Sequence, residues 1–133
     1  MTPRPKRQRV EEPVQKAIVE FLRLVLLPGS IVHASLNEEP ELWRRIHNAK
    51  MGAHAGFADL VVLTQGETIF FEVKSKDGRQ DADQIKFERA VVAQGYRYFV
   101  VRSINDVMDA LRLLEVRLRI ALHVEPRKGT AWR

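Results

Sequence analysis

A hydrophobic segment of the chain ends in charged residues at Glu72-Val73-Lys74. The residues before it are β-branched or aromatic, and this composition predicts a β-strand over residues 68 to 74. Side chains two positions apart in a strand share one face, so Glu72 and Lys74 are predicted to project to the same side. A carboxylate and an amine on one face of a buried strand suggest a site that handles charge.

A second carboxylate, Asp59, begins the preceding apolar segment. Gln65-Gly66 between the two segments predicts a two-residue hairpin loop, and that register places Asp59 directly opposite Glu72, with Cβ atoms roughly 4.5–5.5 Å apart. Two carboxylates so close repel each other unless a cation lies between them, and Mg²⁺, which prefers oxygen ligands, fits. Lys74, one pleat further, could stabilise a developing anion or orient a water. The arrangement suits metal-assisted hydrolysis of a phosphodiester.

The same pattern also has an ordinary structural interpretation. Asp59 could merely begin a strand, and Glu72 and Lys74 could be a solvated pair at a sheet edge. Three features favour the site, one of which is the order of elements around it, α-β-β-β-α-β with an inserted helix. Both carboxylates adjoin apolar runs, 60–63 and 69–71, that must be buried, and the hairpin register brings the carboxylates together.

Apolar periodicity and turn residues predict four helices and four strands around these residues. The first helix has Pro13 in its first turn and ends at Pro28-Gly29, and the last begins with an S-x-x-D capping box at Ser103 and Asp106. The helices are predicted within 13–27, 37–52, 81–95 and 103–118, and the strands within 30–35, 58–63, 68–74 and 96–102.

The order of these elements is α-β-(α)-β-β-α-β-α. A strand followed by a helical crossover and a second strand predicts a parallel pair, and a hairpin beside that pair makes the sheet mixed. Helices should cover the sheet. The predicted fold class is α/β.

Composition restricts the possible partners. The 133 residues suit one domain, and the formal net charge of +5 favours a polyanionic partner. The absence of cysteine excludes disulfides and zinc–thiolate sites. No apolar run is long enough for a membrane span, and the basic N-terminus lacks the apolar segment of a signal peptide, so we expect no membrane partner and a cytoplasmic protein. Residues 1–10 and 121–133 are predicted to be mobile basic ends flanking a domain over 11–120.

The sequence resembles a known family. The segment "HAGFADLVVL…TIFFEVKSKDGRQDADQIKFERAVVAQGYRYFVVRS", with "LNEEPE" and "NAKMGAHAGF", is similar to the stand-alone VRR-NUC (virus-type replication-repair nuclease) domain of the PD-(D/E)XK superfamily. The resemblance covers residues 11 to 110. It implies a restriction-endonuclease-like α-β-β-β-α-β core with one inserted helix and a C-terminal helix.

The resemblance also implies an activity. Such domains are Mg²⁺- or Mn²⁺-dependent DNA endonucleases of phages and bacteria, and small stand-alone members act as homodimers on branched DNA, including Holliday junctions, in DNA repair. The expected location is therefore the cytoplasm of a bacterial or phage-infected cell. Two other interpretations stay open: a catalytically silent nucleic-acid-binding module of the same fold, and a globular domain whose partner is a protein.

Site residues follow from the resemblance by position. The implied catalytic residues are Glu11, Asp59, Glu72, Lys74 and Gln84, and the implied metal ligands are Glu11, Asp59, Glu72 and Val73. One departure is visible, since Ala58 stands where the family usually has proline before the aspartate.

The first-helix acid is chosen by the family pattern and by helical phase. Glu11 lies on the border of the apolar stripe that Val14 centres, whereas Glu12 and Glu20 point further toward solvent. Alternatively, Glu11 and Glu12 are ordinary first-turn acids favoured by the helix dipole.

Several further polar residues have two interpretations each. Gln84 leads an apolar stripe on its helix, so it either serves the site or bonds the backbone at the helix start. The remaining candidates are DNA contacts or, equally, plain loop and solvated helix residues: His47, His54, Arg44, Arg45 and Lys50.

Overall fold

The computed structural model describes residues 6–35 and 41–119. The predicted order of elements is confirmed. The elements are α1 (Lys6–Val25), β1 (Ile31–Ala34), α2 (Leu42–Lys50), β2 (Leu60–Thr64), β3 (Glu67–Val73), α3 (Ala82–Ala93), β4 (Arg97–Val101) and α4 (Ile104–Leu113). The segment 36–40 within the predicted "LNEEPE" match, and the predicted basic tail over 121–133, lie outside the described residues.

The four strands form one mixed sheet in the order β1-β2-β3-β4. The β2–β3 hairpin has the predicted register, from Thr64 opposite Glu67 to Leu60 opposite Phe71. Its turn residues have positive φ, 52° at Gln65 and 79° at the glycine that follows, as a tight hairpin with right-handed strand twist requires. β3 and β4, joined through α3, are parallel as predicted. The same rule is wrong for β1 and β2, which flank α2 but pair antiparallel.

Apolar side chains alternate between the two faces of the sheet and form two clusters. α1 and α4 pack on each other and cover one face with the larger cluster, which includes Ile18, Leu22, Leu60, Ile69, Phe71, Val73, Phe99, Val101, Val107 and Leu111. α3 covers the other face with Ala58, Phe70, Phe87, Val91 and Tyr98. The odd-numbered residues of β3, from Ile69 to Val73, therefore face α1 and α4, and the even-numbered residue Phe70 faces α3.

The first helix is longer than predicted. It begins at Lys6, so Pro13 lies inside it rather than in its first turn. Interior proline costs a helix about 3 kcal/mol, but most of the residues before it are Lys, Arg, Gln or Glu, which have good helix propensity. Ile18, Leu22 and Val25 then anchor the helix in the core. Residues 6–10 of the predicted mobile arm are thus helical, and residues 1–5 lie outside the described residues.

The last helix is shorter than predicted and ends at Leu113. Glu115 adopts a left-handed conformation with φ of 55°. Two backbone hydrogen bonds of 3.0 Å close the helix end, one from Glu115 N to Arg112 O and one from Val116 N to Leu111 O. This is the Schellman arrangement, which usually uses glycine. No helix within the described ranges is long and apolar enough to cross a membrane.

Candidate active site

The charged end of β3 faces α3. Glu72 and Lys74 lie on the same side of the strand, as alternation predicts, and both contact Gln84 in the first turn of α3. Neither side chain is exposed, at 0% each, and Gln84 is also buried. These three polar side chains are therefore buried on the α3 side of the sheet, the side that also holds the aromatic cluster of Phe70 and Phe87.

Gln84 links the acid to the base. Its Nε2 donates to Glu72 Oε1 at 2.9 Å, and its Oε1 accepts from Lys74 Nζ at 2.8 Å. Lys74 Nζ also lies 3.5 Å from the same Glu72 oxygen. An amide can donate and accept at once, so one side chain fixes both charged groups.

Gln84 also closes the capping box of α3. Its Oε1 accepts from the backbone N–H of Asp81 at 2.9 Å, and the Asp81 carboxylate accepts from the backbone N–H of Gln84 at 2.9 Å. Gln84 therefore makes the helix-start bond that one interpretation predicts, and the same side chain also bonds Glu72 and Lys74. The hydrogen bonds that start the helix also aim its amide at Glu72 and Lys74.

Asp59 is fixed beside the end of β3. It immediately precedes β2, is half-buried, and its Oδ2 accepts from the backbone N–H of Val73 at 2.8 Å. Its backbone carbonyl accepts from Ser35 N, also at 2.8 Å. The observed hairpin register, continued by one residue, sets Asp59 against Glu72. Ala58, the departure from the family pattern, is fully buried in the α3-side cluster.

A tyrosine lies close to these acids. Tyr98 of β4 accepts a hydrogen bond from Gln80 Nε2 at 3.1 Å, and Gln80 also donates to Glu88 at 3.1 Å. Burial, and after it the negative charge of Glu72, raises the pKa of the Tyr98 hydroxyl well above its ordinary value. The phenol is therefore held neutral next to the carboxylates.

Glu11 is the buried acid of the first helix. Its exposed fraction is 7%, whereas Glu12 and Glu20 are exposed. Its carboxylate borders the loop that follows β3, because a Cβ atom on Gly78 would lie 3.4 Å from Glu11 Oε1. The helical phase thus distinguished the buried acid from its exposed neighbours.

Two residues that support this region were missed in the sequence. Arg102, just past β4, donates from Nη1 to the carbonyls of Ser75 and Gly78 at 2.6 and 2.7 Å, which braces the loop after Lys74. Finding it would have required the parallel β3–β4 register, in which Val101 O accepts from Lys74 N at 3.0 Å. Strand order alone does not provide that register.

The second missed residue is Gly56, in the loop before Asp59. Its φ is 76°, and a Cβ there would overlap the carbonyl of Asp83 and lie 2.7 Å from Gln84 N. Only glycine lets this loop pack directly on the first turn of α3. The glycine in "AHAGF" was a visible signal, but its partner could not be read from the sequence.

The remaining candidates lie at the surface. Arg44, Arg45, His47 and Lys50 are exposed on α2, and His54 is exposed in the next loop. The His54 ring packs against Phe87 of α3, with ring centroids 5.7 Å apart, and its Nδ1 is 2.9 Å from Ala55 O.

The donor set suits a hard divalent cation only in part. Glu11, Asp59 and Glu72 offer carboxylate oxygens and Val73 a carbonyl, the ligand type that Mg²⁺ and Mn²⁺ take. Across 6–35 and 41–119, however, no three His, Asp or Glu side chains converge closely enough to hold an ion. Oxygens of Asp59 and Glu72 are instead turned to Val73 N–H and to Gln84. Mg²⁺ commonly keeps several waters, so fewer than three carboxylates can still bind it.

Comparisons with known proteins identify the fold. No protein-family model matches the chain, and no curated protein matches it significantly. Solved structures do match. A "VRR_NUC domain protein" is 17% identical, with a TM-score of 0.65 over 81% of this chain and 90% of that one. A "VRR_NUC domain" is 29% identical, with a TM-score of 0.52 over 77% of this chain and 94% of that one.

The mixed four-stranded sheet with its helices is therefore an α/β fold that matches the VRR_NUC domain structures. The resemblance indicated by the sequence is confirmed, and the chain is similar over most of its length to VRR-NUC domains.

Proposed function

We propose that this protein is a divalent-metal-dependent DNA endonuclease that acts on branched DNA such as a four-way junction. The observation that carries the proposal is the group of Glu72, Lys74 and Gln84, three hydrogen-bonded polar side chains buried at the end of a hydrophobic strand. Apolar residues of similar volume would often serve stability equally well or better there. A buried acid and amine beside Asp59 suit phosphodiester hydrolysis.

Each residue has a distinct task in this proposal. Asp59 and Glu72 would hold Mg²⁺ or Mn²⁺, with the Val73 carbonyl completing the protein ligands and Glu11 contributing from the edge of the site. The chemistry that such an ion supplies when bound is polarisation of the phosphate and activation of a water.

The other residues orient and stabilise. The Lys74 ammonium stabilises negative charge that develops on the phosphate, or holds the attacking water, since it is a preorganised cation that solvent does not screen. Gln84 keeps Lys74 and Glu72 at fixed positions through its two hydrogen bonds. The braced loop after Lys74 keeps the end of β3 in place.

A second candidate is the catalytically silent nucleic-acid-binding module. One observation favours it: within the described part of the chain, the acids do not form a three-residue metal-holding group. The net charge of +5 suits DNA binding equally well with or without cleavage.

The test separates the two candidates and the substrate shapes. Labelled four-way junction, flap, single-stranded and duplex DNA of equal length are incubated at one salt concentration with Mg²⁺, with Mn²⁺ and with chelator. We expect cleavage only with metal, and faster cleavage of the junction than of the duplex. Binding without cleavage under every condition would support the silent module. Equal cleavage rates on duplex and junction would disprove the selectivity for branched DNA but would still support the nuclease activity.

A further inference from the structure

α2 makes no packing contact with another helix or strand in the part of the chain that the structure describes. It lies between β1 and β2 in sequence and contains no buried residue. A nine-residue helix is marginal in water on its own, because tertiary packing normally supplies most helical stability. A binding partner that covers α2 would stabilise it.

The surface of α2 combines apolar and cationic side chains. Leu42, Trp43 and Ile46 are exposed, with 62% exposure at the tryptophan. The helix also carries Arg44, Arg45 and Lys50 and no acidic residue. The Arg44 guanidinium lies 5.1 Å from the centroid of the Trp43 ring, a cation–π distance.

The position of α2 connects it to the candidate active site. The loop that leaves it packs on the α3 side of the sheet, where the rings of His54 and Phe57 contact Phe87. The same loop then passes Gly56, against the first turn of α3, and reaches Asp59. α2 therefore leads into the loop that sits on the sheet face carrying Glu72 and Lys74.

The charge on α2 decides between two kinds of partner. A second copy of this chain docked symmetrically through α2 would bring the cations of both copies together, including Arg45 and Lys50 of each, and that repulsion is unfavourable. A polyanion neutralises the same cations. An exposed aromatic ring among cations is also the combination by which proteins stack on unpaired bases and follow the phosphate backbone.

We propose that α2 binds DNA at an unpaired or unstacked base beside the scissile phosphate. Trp43 stacks on the base, and Arg44, Arg45 and Lys50 contact the flanking phosphates. This inference rests on the proposed nuclease function, since it names the feature of branched DNA that the site would recognise. A fully paired duplex offers the phosphates but not the base.

The experiment measures binding without cleavage. Fluorescence anisotropy is recorded in chelator, at one salt concentration, for a fully paired duplex and for the same duplex with three unpaired bases at its centre. Trp43→Ala should weaken binding of the second DNA about 5- to 150-fold, the equivalent of one lost base stack. It should leave duplex affinity within about twofold. Trp43→Phe should retain most of the preference, because phenylalanine also stacks.

The controls use other exposed residues. Leu24→Ala removes an exposed apolar side chain from α1 and should change neither affinity. Arg44→Gln should weaken both DNAs and flatten the salt dependence, because it removes a phosphate contact. Equal weakening of both DNAs by Trp43→Ala, or no weakening, would overturn the inference. So would a fall in solution mass caused by Trp43→Ala, since α2 would then join two copies.

Failure of the nuclease proposal gives a different result. If the wild type binds with this Trp43-dependent preference but cuts no DNA with any metal, the nuclease proposal fails and the inference holds for a binding module. If the wild type cuts branched DNA and Trp43→Ala binds and cuts normally, the inference alone fails.

Discussion

At the scale of single residues, the central feature is the price of burying Lys74 and Glu72. Removing an ion pair from water costs several kcal/mol per ion, which the pair recovers only with good geometry and further hydrogen bonds. Gln84 supplies those bonds at 2.8 and 2.9 Å. The arrangement therefore depends on all three side chains. Removal of one leaves the others buried without their partners, which lowers the free energy of unfolding.

The first prediction concerns Lys74→Ala. We expect cleavage to fall about 10²–10³-fold, the usual effect of losing one preorganised charge-stabilising group. The free energy of unfolding should fall by about 3–5 kcal/mol, because Glu72 is left buried without its cation. DNA affinity should persist at temperatures where the variant is folded, since surface cations supply the phosphate contacts.

Lys76→Ala is the matched control, because Lys76 is an exposed lysine two residues further along. Cleavage rates with Mg²⁺ and urea unfolding curves should be near wild type for this control. Wild-type cleavage by Lys74→Ala would disprove the role given to Lys74.

The second prediction is alkaline sensitivity from Tyr98. Burial and the charge of Glu72 raise its pKa in the folded state above the ordinary value of 10.0. The folded protein then holds this proton more tightly than the unfolded chain, so the contribution to stability is complete below about pH 10 and is lost as pH rises above it.

Tyr98→Phe removes the titrating group. Urea unfolding from pH 8 to pH 11 should show a shallower alkaline decline for the variant than for the wild type. At pH 8 the variant should lose only about 0.5–1.5 kcal/mol, for the bond from Gln80. Parallel declines of the two proteins would show that Tyr98 does not carry the effect.

At the scale of elements, the site depends on how a loop meets a helix. Gly56 packs on the first turn of α3, and that turn holds Gln84 through its capping box. The loop, the helix start and the strand end thus form one unit, in which a displaced backbone would misplace Gln84.

The third prediction tests this unit with two glycines of similar backbone. Gly56 has φ of 76° and Gly66 has 79°, but only at Gly56 would a Cβ meet other atoms within 4 Å. Both Gly→Ala variants should lose roughly 1 kcal/mol through left-handed strain, and Gly56→Ala should lose more, because its Cβ would overlap the backbone carbonyl of Asp83. Only Gly56→Ala should also lose cleavage, because it displaces the Asp83–Gln84 peptide.

Steady cleavage rates on one junction substrate, with thermal unfolding as the stability control, distinguish the variants. Equal cleavage by Gly56→Ala and Gly66→Ala would contradict the coupling between loop and site.

Elements with local signals were predictable, and those fixed by tertiary contacts were not. The Gln65-Gly66 turn determines the hairpin register, and Gly95 marks the end of α3, where its φ is 90°. α3 and α4 both end with a pair of Schellman hydrogen bonds. At the end of α4 the left-handed residue is Glu115 rather than glycine, so the sequence gives no signal of that turn. Strand alternation predicted that Glu72 and Lys74 share one face, whereas Gln84 was placed at the site by the family resemblance and helical phase left it two interpretations. The contacts of Gly56 and Arg102 depend on elements distant in sequence.

At the scale of the whole molecule, the apolar surface that the fold leaves exposed determines where two copies could meet. α1 and the Leu-rich α4 are candidates for a dimer surface, but their apolar faces pack on each other and on the sheet. Val107 and Leu111 are wholly buried within the chain. Those faces are therefore unavailable to a second copy.

The α3 side of the sheet offers a better surface. α3 packs over β3 and β4, whereas Ile31 and Leu63, which pair across β1 and β2, remain 54% and 43% exposed. β1 is also an edge strand of the described sheet. An exposed apolar pair beside a strand edge is a typical place for a symmetric contact between copies.

The last prediction is therefore a homodimer that uses Ile31 and Leu63. Light scattering at micromolar concentration without DNA should give about twice the 15.3 kDa of one chain. Leu63→Lys should shift the mass toward one chain, because it places like charges opposite each other across the two-fold axis. Leu113→Lys, at an exposed leucine on α4, should leave the dimer intact. A wild-type mass of one chain would exclude the dimer, and dissociation by Leu113→Lys instead would move the contact to α4. A dimer through β1 and β2 would set two sites at a fixed separation, which suits two equivalent strands of a junction better than a uniform duplex.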